Sequence, residues 1–153
     1  LNNGLTVIGA SSSRPGYGAI TRSITSRSLA SGVPNYAVID TAYVTVCDHV
    51  ADDLRSYLTS QLAGAKLGAD LANGQPASRA PNVTTPSIIR SLILARLYSY
   101  ESNGATRDVT LNAGLLAVEA DSVTAGRVNC EIPVEPVSAL HGVAGNVRQL
   151  ASL

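Results

Sequence analysis

The hydrophobic positions change period twice along the chain. Near the start they run in short β-branched stretches. Leu5-Thr6-Val7-Ile8 follows the turn signal Asn2-Asn3-Gly4, and four of the six residues from Ile20 to Thr25 are β-branched. Both stretches predict strands. Residues 11–18 and 28–35 are rich in Ser, Pro and Gly and read as loops. From Asp40, a plausible N-cap, the period becomes helical. Tyr43, Val46, Cys47, Val50, Leu54, Tyr57, Leu58 and Leu62 recur at three- and four-residue spacing, which predicts an amphipathic helix of about six turns. Asp48, Asp52, Asp53 and Arg55 fall off that stripe and are expected in solvent. Gly64 and Gly68 are expected to end the helix.

Residues 65–84 carry Asn73-Gly74, Pro76 and Pro81 and read as a long irregular segment, functional or mobile. Thr85-Pro86 then opens a second helix, with Thr as N-cap and Pro at the first helical position. Ile88, Ile89, Leu92, Ile93, Arg96, Leu97 and Tyr100 spread over a wide arc, so this helix is expected to lie against a sheet. Asn103-Gly104 is its stop. The last third returns to period two. Residues 115–119 read as a strand and 121–126 as a turn. Residues 128–134 read as the return strand, with Val128, Cys130, Ile132 and Val134 on one face. Pro133 and Pro136 close it. Residues 142–150 contain Val143, Val147 and Leu150 and follow a Pro-containing tether, with nothing after them in the sequence to pair with. The expected fold is α+β: a small mixed β-sheet flanked by two long helices, with a C-terminal β-hairpin and a detached terminal strand. The expected domains are 1–137 and a terminal arm, 138–153.

Composition narrows the function. With 153 residues the chain has room for about one domain, and 45% hydrophobic against 14% charged residues describes a folded one. Eleven basic residues balance eleven acidic ones. No basic excess marks a nucleic-acid binder, and low net charge favours association. No apolar run approaches the roughly 20 residues of a membrane span, and no secretory signal is visible at the start. The absence of Met suggests a piece of a longer protein or a processed one. With no Phe and no Trp, the core falls to Leu, Ile, Val and Ala. Ten of the eleven cations are Arg, the better residue for fixed pairs at interfaces, although genomic bias explains this equally well.

Candidate chemistry is sparse. Val7-Ile8-Gly9-Ala10 running into Pro15-Gly16-Tyr17-Gly18 resembles a phosphate-cradling loop, with Asp40 near the place of a ribose-binding acid. The glycines at 9, 16 and 18 do not fit GxGxxG, however, and the following segment reads as a strand where a helix is required. The plainer reading is a turn between antiparallel strands. His49 sits among Asp48, Asp52 and Asp53, which reads as a solvated acidic face before it reads as a metal site. His141 stands alone. Asn82-Val83-Thr84 fits the glycosylation sequon, read as coincidence without a secretion signal. Cys47 and Cys130 have no metal-like spacing and read first as small buried hydrophobes, with a disulfide or intersubunit crosslink as the alternative. No catalytic constellation, cofactor site or metal site emerges.

The order of the elements, and short stretches along them, resemble the C-terminal region of contractile-tail sheath proteins of the Mu-like myophage type. Leu1-Asn2-Asn3-Gly4 is similar to the family's "LLxxG" helix end before a strand. Residues 19–27, AITRSITSR, resemble its "ixRxITT" strand, and Asp40-Thr41-Ala42-Tyr43 its "aDxsYldv" helix start. Residues 66–70 resemble its "hKLadDG" loop, and residues 84–90, TTPSIIR, its "vTPkiIka" helix start, the most specific element. Gly126-Arg127-Val128-Asn129 resembles the turn into its last hairpin strand, and residues 137–150 its terminal strand, with Val147 and Leu150 where aromatics are usual.

The resemblance implies a structural subunit that polymerises with itself as stacked six-fold rings around a tail tube and drives contraction for genome delivery. Its partners would be the tube protein, the baseplate and the tail terminator, with no nucleic acid, membrane or cofactor involved. It would be assembled in the host cytoplasm and reside in the virion. Val143, Asn146, Val147, Arg148 and Leu150 would form the intersubunit arm. The competing expectation is a nucleotide- or CoA-binding α/β enzyme fragment using the loop between Gly9 and Gly18. Another self-assembling tail component, forming rings without long tubes, is a third.

Overall fold

A computed structural model describes residues 7–10, 15–22, 24–25, 29–30, 32–34, 40–71, 74, 76 and 80–138. The chain divides into two compact units, one of residues 1–42 with 138–153 and one of residues 43–137.

In the first unit, β1 (Val7–Ala10) pairs antiparallel with β2 (Gly18–Arg22). The register shifts between Val7 and Ile8. β3 (Leu29–Ala30) pairs antiparallel with β4 (Val33–Pro34) across Gly32, whose φ of 81° suits a residue without Cβ. That two-residue ladder lies where the sequence pattern predicted only loop. Ile24 bridges Asp40, and both are buried. Asp40 caps the first helix as expected, since its Oδ1 accepts from the Ala42 amide at 3.0 Å.

The second unit is built on two helices, α1 (Thr41–Gln61, its first two residues grouped with the first unit) and α2 (Pro86–Ser102). Val50 and Leu54 of α1 meet Ile89, Ile93, Leu97 and Tyr100 of α2 in one core. Each set repeats at three- or four-residue spacing, so each helix turns one stripe inward. Val109 and Leu116 close the core. Val109 lies in the one-turn α3 (Val109–Asn112), which runs into a 3-10 turn at Ala113–Leu115. β7 (Ala117–Ala120) and β8 (Val128–Glu131) form an antiparallel hairpin, and Val118 and Val128 pack on the core. α2 therefore lies against a strand pair, as its wide apolar arc required.

Segment 65–84 is more ordered than its Gly- and Pro-rich sequence suggested. β5 (Lys66–Leu67) pairs parallel with β6 (Val83–Thr84), and Asp70 bridges Pro76. Gly68 sits where a Cβ would come within 2.9 Å of Val83 Cγ1. Its role is this close approach and not the ending of α1, which Gly64 marks at φ 72°.

The α+β class holds. The strands do not join into one sheet, however: the described ones form four separate two-stranded ladders, three antiparallel and one parallel.

Candidate assembly surface

Three polar clusters tie the second unit together. In the first, Arg96 donates from Nε and an Nη2 to the two carboxylate oxygens of Asp53, at 2.7 and 2.8 Å. The Tyr100 hydroxyl donates to the same carboxylate. The guanidinium lies 5.4 Å from the ring centres of both Tyr57 and Tyr100, within cation–π range. Asp53 is therefore not the solvated acid the helical pattern suggested but the α1 end of a clamp between the helices. The Arg96 hydrogen bonds, then that of Tyr100, hold its carboxyl down at about 2. The same bonds push the Arg96 guanidinium above its usual range. Burial, then the bond to Asp53, lifts the Tyr100 phenol to about 12, so it remains a donor. An arginine inside an otherwise apolar arc was the available signal, because such a residue needs a partner. The i,i+4 spacings Asp53–Tyr57 and Arg96–Tyr100 place the aromatic rings beside the pair.

The second cluster starts α2. Thr85 occupies the N-cap in extended backbone but makes no side-chain cap bond. Asp70 supplies it instead, accepting from the Ser87 amide at 2.9 Å and the Ser87 hydroxyl at 2.6 Å. These bonds, the hydroxyl's first, lower the Asp70 pKa. It is a carboxylate capping the first turn of α2.

The third cluster lies where the chain leaves the hairpin. Glu135 accepts from Arg107 Nε at 2.9 Å and from Asn112 Nδ2 at 3.2 Å. The Arg107 bond is the chief cause of its lowered pKa.

Among the described residues, three clefts border these elements. One of about 400 Å³ is lined by Gly74, Pro76, Ser87, Ile88, Ser91 and Leu92. A second, about 210 Å³, lies between Leu62, Val83, Ile88 and Leu92, and a third, about 200 Å³, lies on the hairpin among Ala117, Glu119, Asn129, Cys130 and Glu131. In the first of these the Ser87 hydroxyl donates to the Asp70 carboxylate at 2.6 Å, a bond of the α2 cap. Among the described residues no group of His, Cys, Asp and Glu could hold a metal ion, and no helix is long and apolar enough to cross a membrane. His49 is exposed beside Asp53, and its charge contributes slightly to lowering that carboxyl.

The nucleotide-loop expectation fails on topology. The strand before the loop pairs antiparallel with the strand after it, where a phosphate-cradling loop would run into a helix.

Cys47 and Cys130 are free, and both are exposed, contrary to their reading as buried hydrophobes. Val46 and Val50 take the inward positions of α1, and Cys47 lies beside them. Cys130 stands opposite Val118 in the hairpin. Partial desolvation raises both thiol pKa values, with Asp48 adding to the effect at Cys47. The arm residues Val143, Asn146, Val147, Arg148 and Leu150, and His141, lie outside the described residues.

What the second unit does present is edge and apolar surface. Leu111 is 80% exposed and Leu115 67%, four residues apart. The hairpin is two strands wide among the described residues. Exposed apolar side chains and open strand edges are the kind of surface that other protein chains cover.

The comparison with known families agrees. The chain belongs to the phage tail sheath family: the model of the phage tail sheath C-terminal domain matches residues 36–149. No curated protein matches it. The family is a structural one, a component of the phage tail sheath that assembles with itself and with the tail tube.

Proposed function

We propose that this chain is the inner, C-terminal part of a contractile sheath subunit. It polymerises as stacked six-fold rings around the tail tube, and a rearrangement of the linked subunits drives contraction for genome delivery. The observation that carries this reading is the family match over residues 36–149. The two-stranded hairpin and the exposed Leu111 and Leu115 support it as surface for other subunits. The ends of the polymer would meet the baseplate and the tail terminator, and assembly would take place in the host cytoplasm. No nucleic acid, membrane or cofactor takes part.

Residues 1–137 form the inner domain in this reading, and 138–153 the arm. Val143, Asn146, Val147, Arg148 and Leu150 add a strand to a neighbouring subunit, where backbone hydrogen bonds give grip and alternate side chains give register. The tether lets subunits turn as rigid bodies without separating. Deleting residues 142–153 tests this. The deleted protein should keep the urea midpoint of the intact one and lose tube formation; tubes at normal yield would refute the arm. The exposed Cys47 and Cys130 are the candidate crosslink sites between subunits, and their raised pKa values make oxidation slow. Identical gel mobility with and without reductant, after prolonged oxidation of assembled tubes, would refute a crosslink.

A further inference from the structure

The geometry points to Arg107 and Glu135 as the pair that fixes where the terminal segment leaves the domain and shields the hairpin from a pull on it. This rests on the arm reading above. Beyond β8 the chain does not simply run off. Thr106 and Pro136 face each other in an isolated antiparallel bridge. The flanking residues make the bonds: the Arg107 amide donates to the Glu135 carbonyl at 2.9 Å, and the Val137 amide to the Ala105 carbonyl at 3.1 Å. Thr106 and Pro136 form the non-hydrogen-bonded pair of this short ladder, so Pro136 sits where no donor is needed. The side chains repeat the connection, with Arg107 Nη2 2.6 Å from Glu135 Oε1 and Asn112 holding the other carboxylate oxygen.

The receiving side is itself fixed. α2 ends in a Schellman motif: the Ala105 amide donates to the Tyr100 carbonyl at 3.0 Å and the Gly104 amide to the Glu101 carbonyl at 2.9 Å, with Gly104 at φ 73°. Tyr100 is buried in the core and bonded to Asp53 of α1. A pull on Ser138 therefore meets Val137, Ala105 and the end of α2 before it reaches β8. Without the clasp it would pass straight up the chain to β8, whose only ladder partner among the described residues is β7. The clasp closes the segment between Arg107 and Glu135 into a loop, so a load on the arm goes to the two-helix core and leaves the hairpin register intact.

The test uses the sheath protein that carries this domain, in four forms: unchanged, Arg107→Glu, the reciprocal Arg107→Glu/Glu135→Arg, and the 142–153 deletion. Amide exchange is read on the unassembled protein and tube yield by sedimentation. Arg107→Glu should speed exchange at Val137 roughly tenfold, the scale of a lost charge-assisted contact, with Leu97 unchanged. Tube yield should fall by a similar factor, and the reciprocal form should restore both. The unchanged Leu97 exchange separates this from general destabilisation. Should Arg107→Glu fail to fold, Glu135→Gln keeps the shape and the Asn112 contact while removing the ion pair, and the same pattern is expected. Normal tube yield in the single variants, while the deletion abolishes tubes, overturns the clasp and leaves the arm standing. Normal yield in the deletion overturns both.

Discussion

Ile93 is the most demanding position in the core. It is 0% exposed, at the centre of the cluster formed by α1, α2 and Leu116. Replacing it with Ala removes three carbons, worth about 2.4 kcal/mol at ~0.8 kcal/mol per buried methylene. A cavity remains. If about half of the ~80 Å³ removed stays empty, at ~24 cal/mol per Å³ it adds about 1 kcal/mol. The expected loss is about 3–4 kcal/mol, inside the observed range for such changes. Urea titration of the chain, followed by far-ultraviolet circular dichroism, reads this as a midpoint lowered by about 2 M for a slope of ~1.5 kcal/mol/M. Ile93→Val should cost only about 1 kcal/mol. Leu111→Ala, at a side chain 80% exposed, should stay within about 0.5 kcal/mol. If Ile93→Ala and Leu111→Ala shift the midpoint equally, the burial of Ile93 and the exposure of Leu111 are wrongly assigned.

Other outcomes follow from the polar clusters and from Gly68. Asp53 is held at about 2 in the folded chain, below its ordinary 3.8. A depressed carboxyl stabilises fully above the unfolded value and loses that stability as pH falls from near 4 toward 2. Asp53→Asn should therefore lower stability at pH 7 and flatten the decline between pH 4 and 2; an unchanged acid profile would contradict the clamp. Gly68→Ala places a Cβ at 2.9 Å from Val83 Cγ1 and should cost about 1 kcal/mol by overpacking. Adding Val83→Ala should relieve the clash, so a double variant no more stable than Gly68→Ala in the urea titration would contradict the close approach.

The parts legible in the sequence are those fixed by local periodicity or single-residue chemistry. Val50 and Leu54, with Ile89, Ile93 and Leu97, announce two helices because a 3.6-residue period shows in any long apolar stripe. Pro86 and Asn103-Gly104 mark the ends of α2 because one cannot donate and the other tolerates positive φ. The hairpin at 117–131 is legible from alternation. What the sequence hid is long-range or too short to show a period. Leu29–Ala30 and Val33–Pro34 are two residues each. The parallel pairing of Lys66–Leu67 with Val83–Thr84 has no alternation to betray it. Asp70 displaces Thr85 as the cap from 17 residues away, and Asp53 finds Arg96 from 43. Three- and four-residue spacing admits both Val46 and Cys47 to the inward stripe, and Val46 takes the inner position while Cys47 is exposed.

The assembly surface was legible chiefly through resemblance. The Thr-Pro helix start and the turn into β8 are short, but both fall inside the matched span of residues 36–149. The clasp at Arg107 and Glu135 carries no sequence signal, since its members stand 28 residues apart and meet only once the hairpin has formed.

The most direct test of the account is negative-stain electron microscopy of the sheath protein that carries this domain, purified and concentrated without other phage components. The account predicts hollow tubes or stacked six-fold rings. Dispersed small particles at every concentration would contradict it.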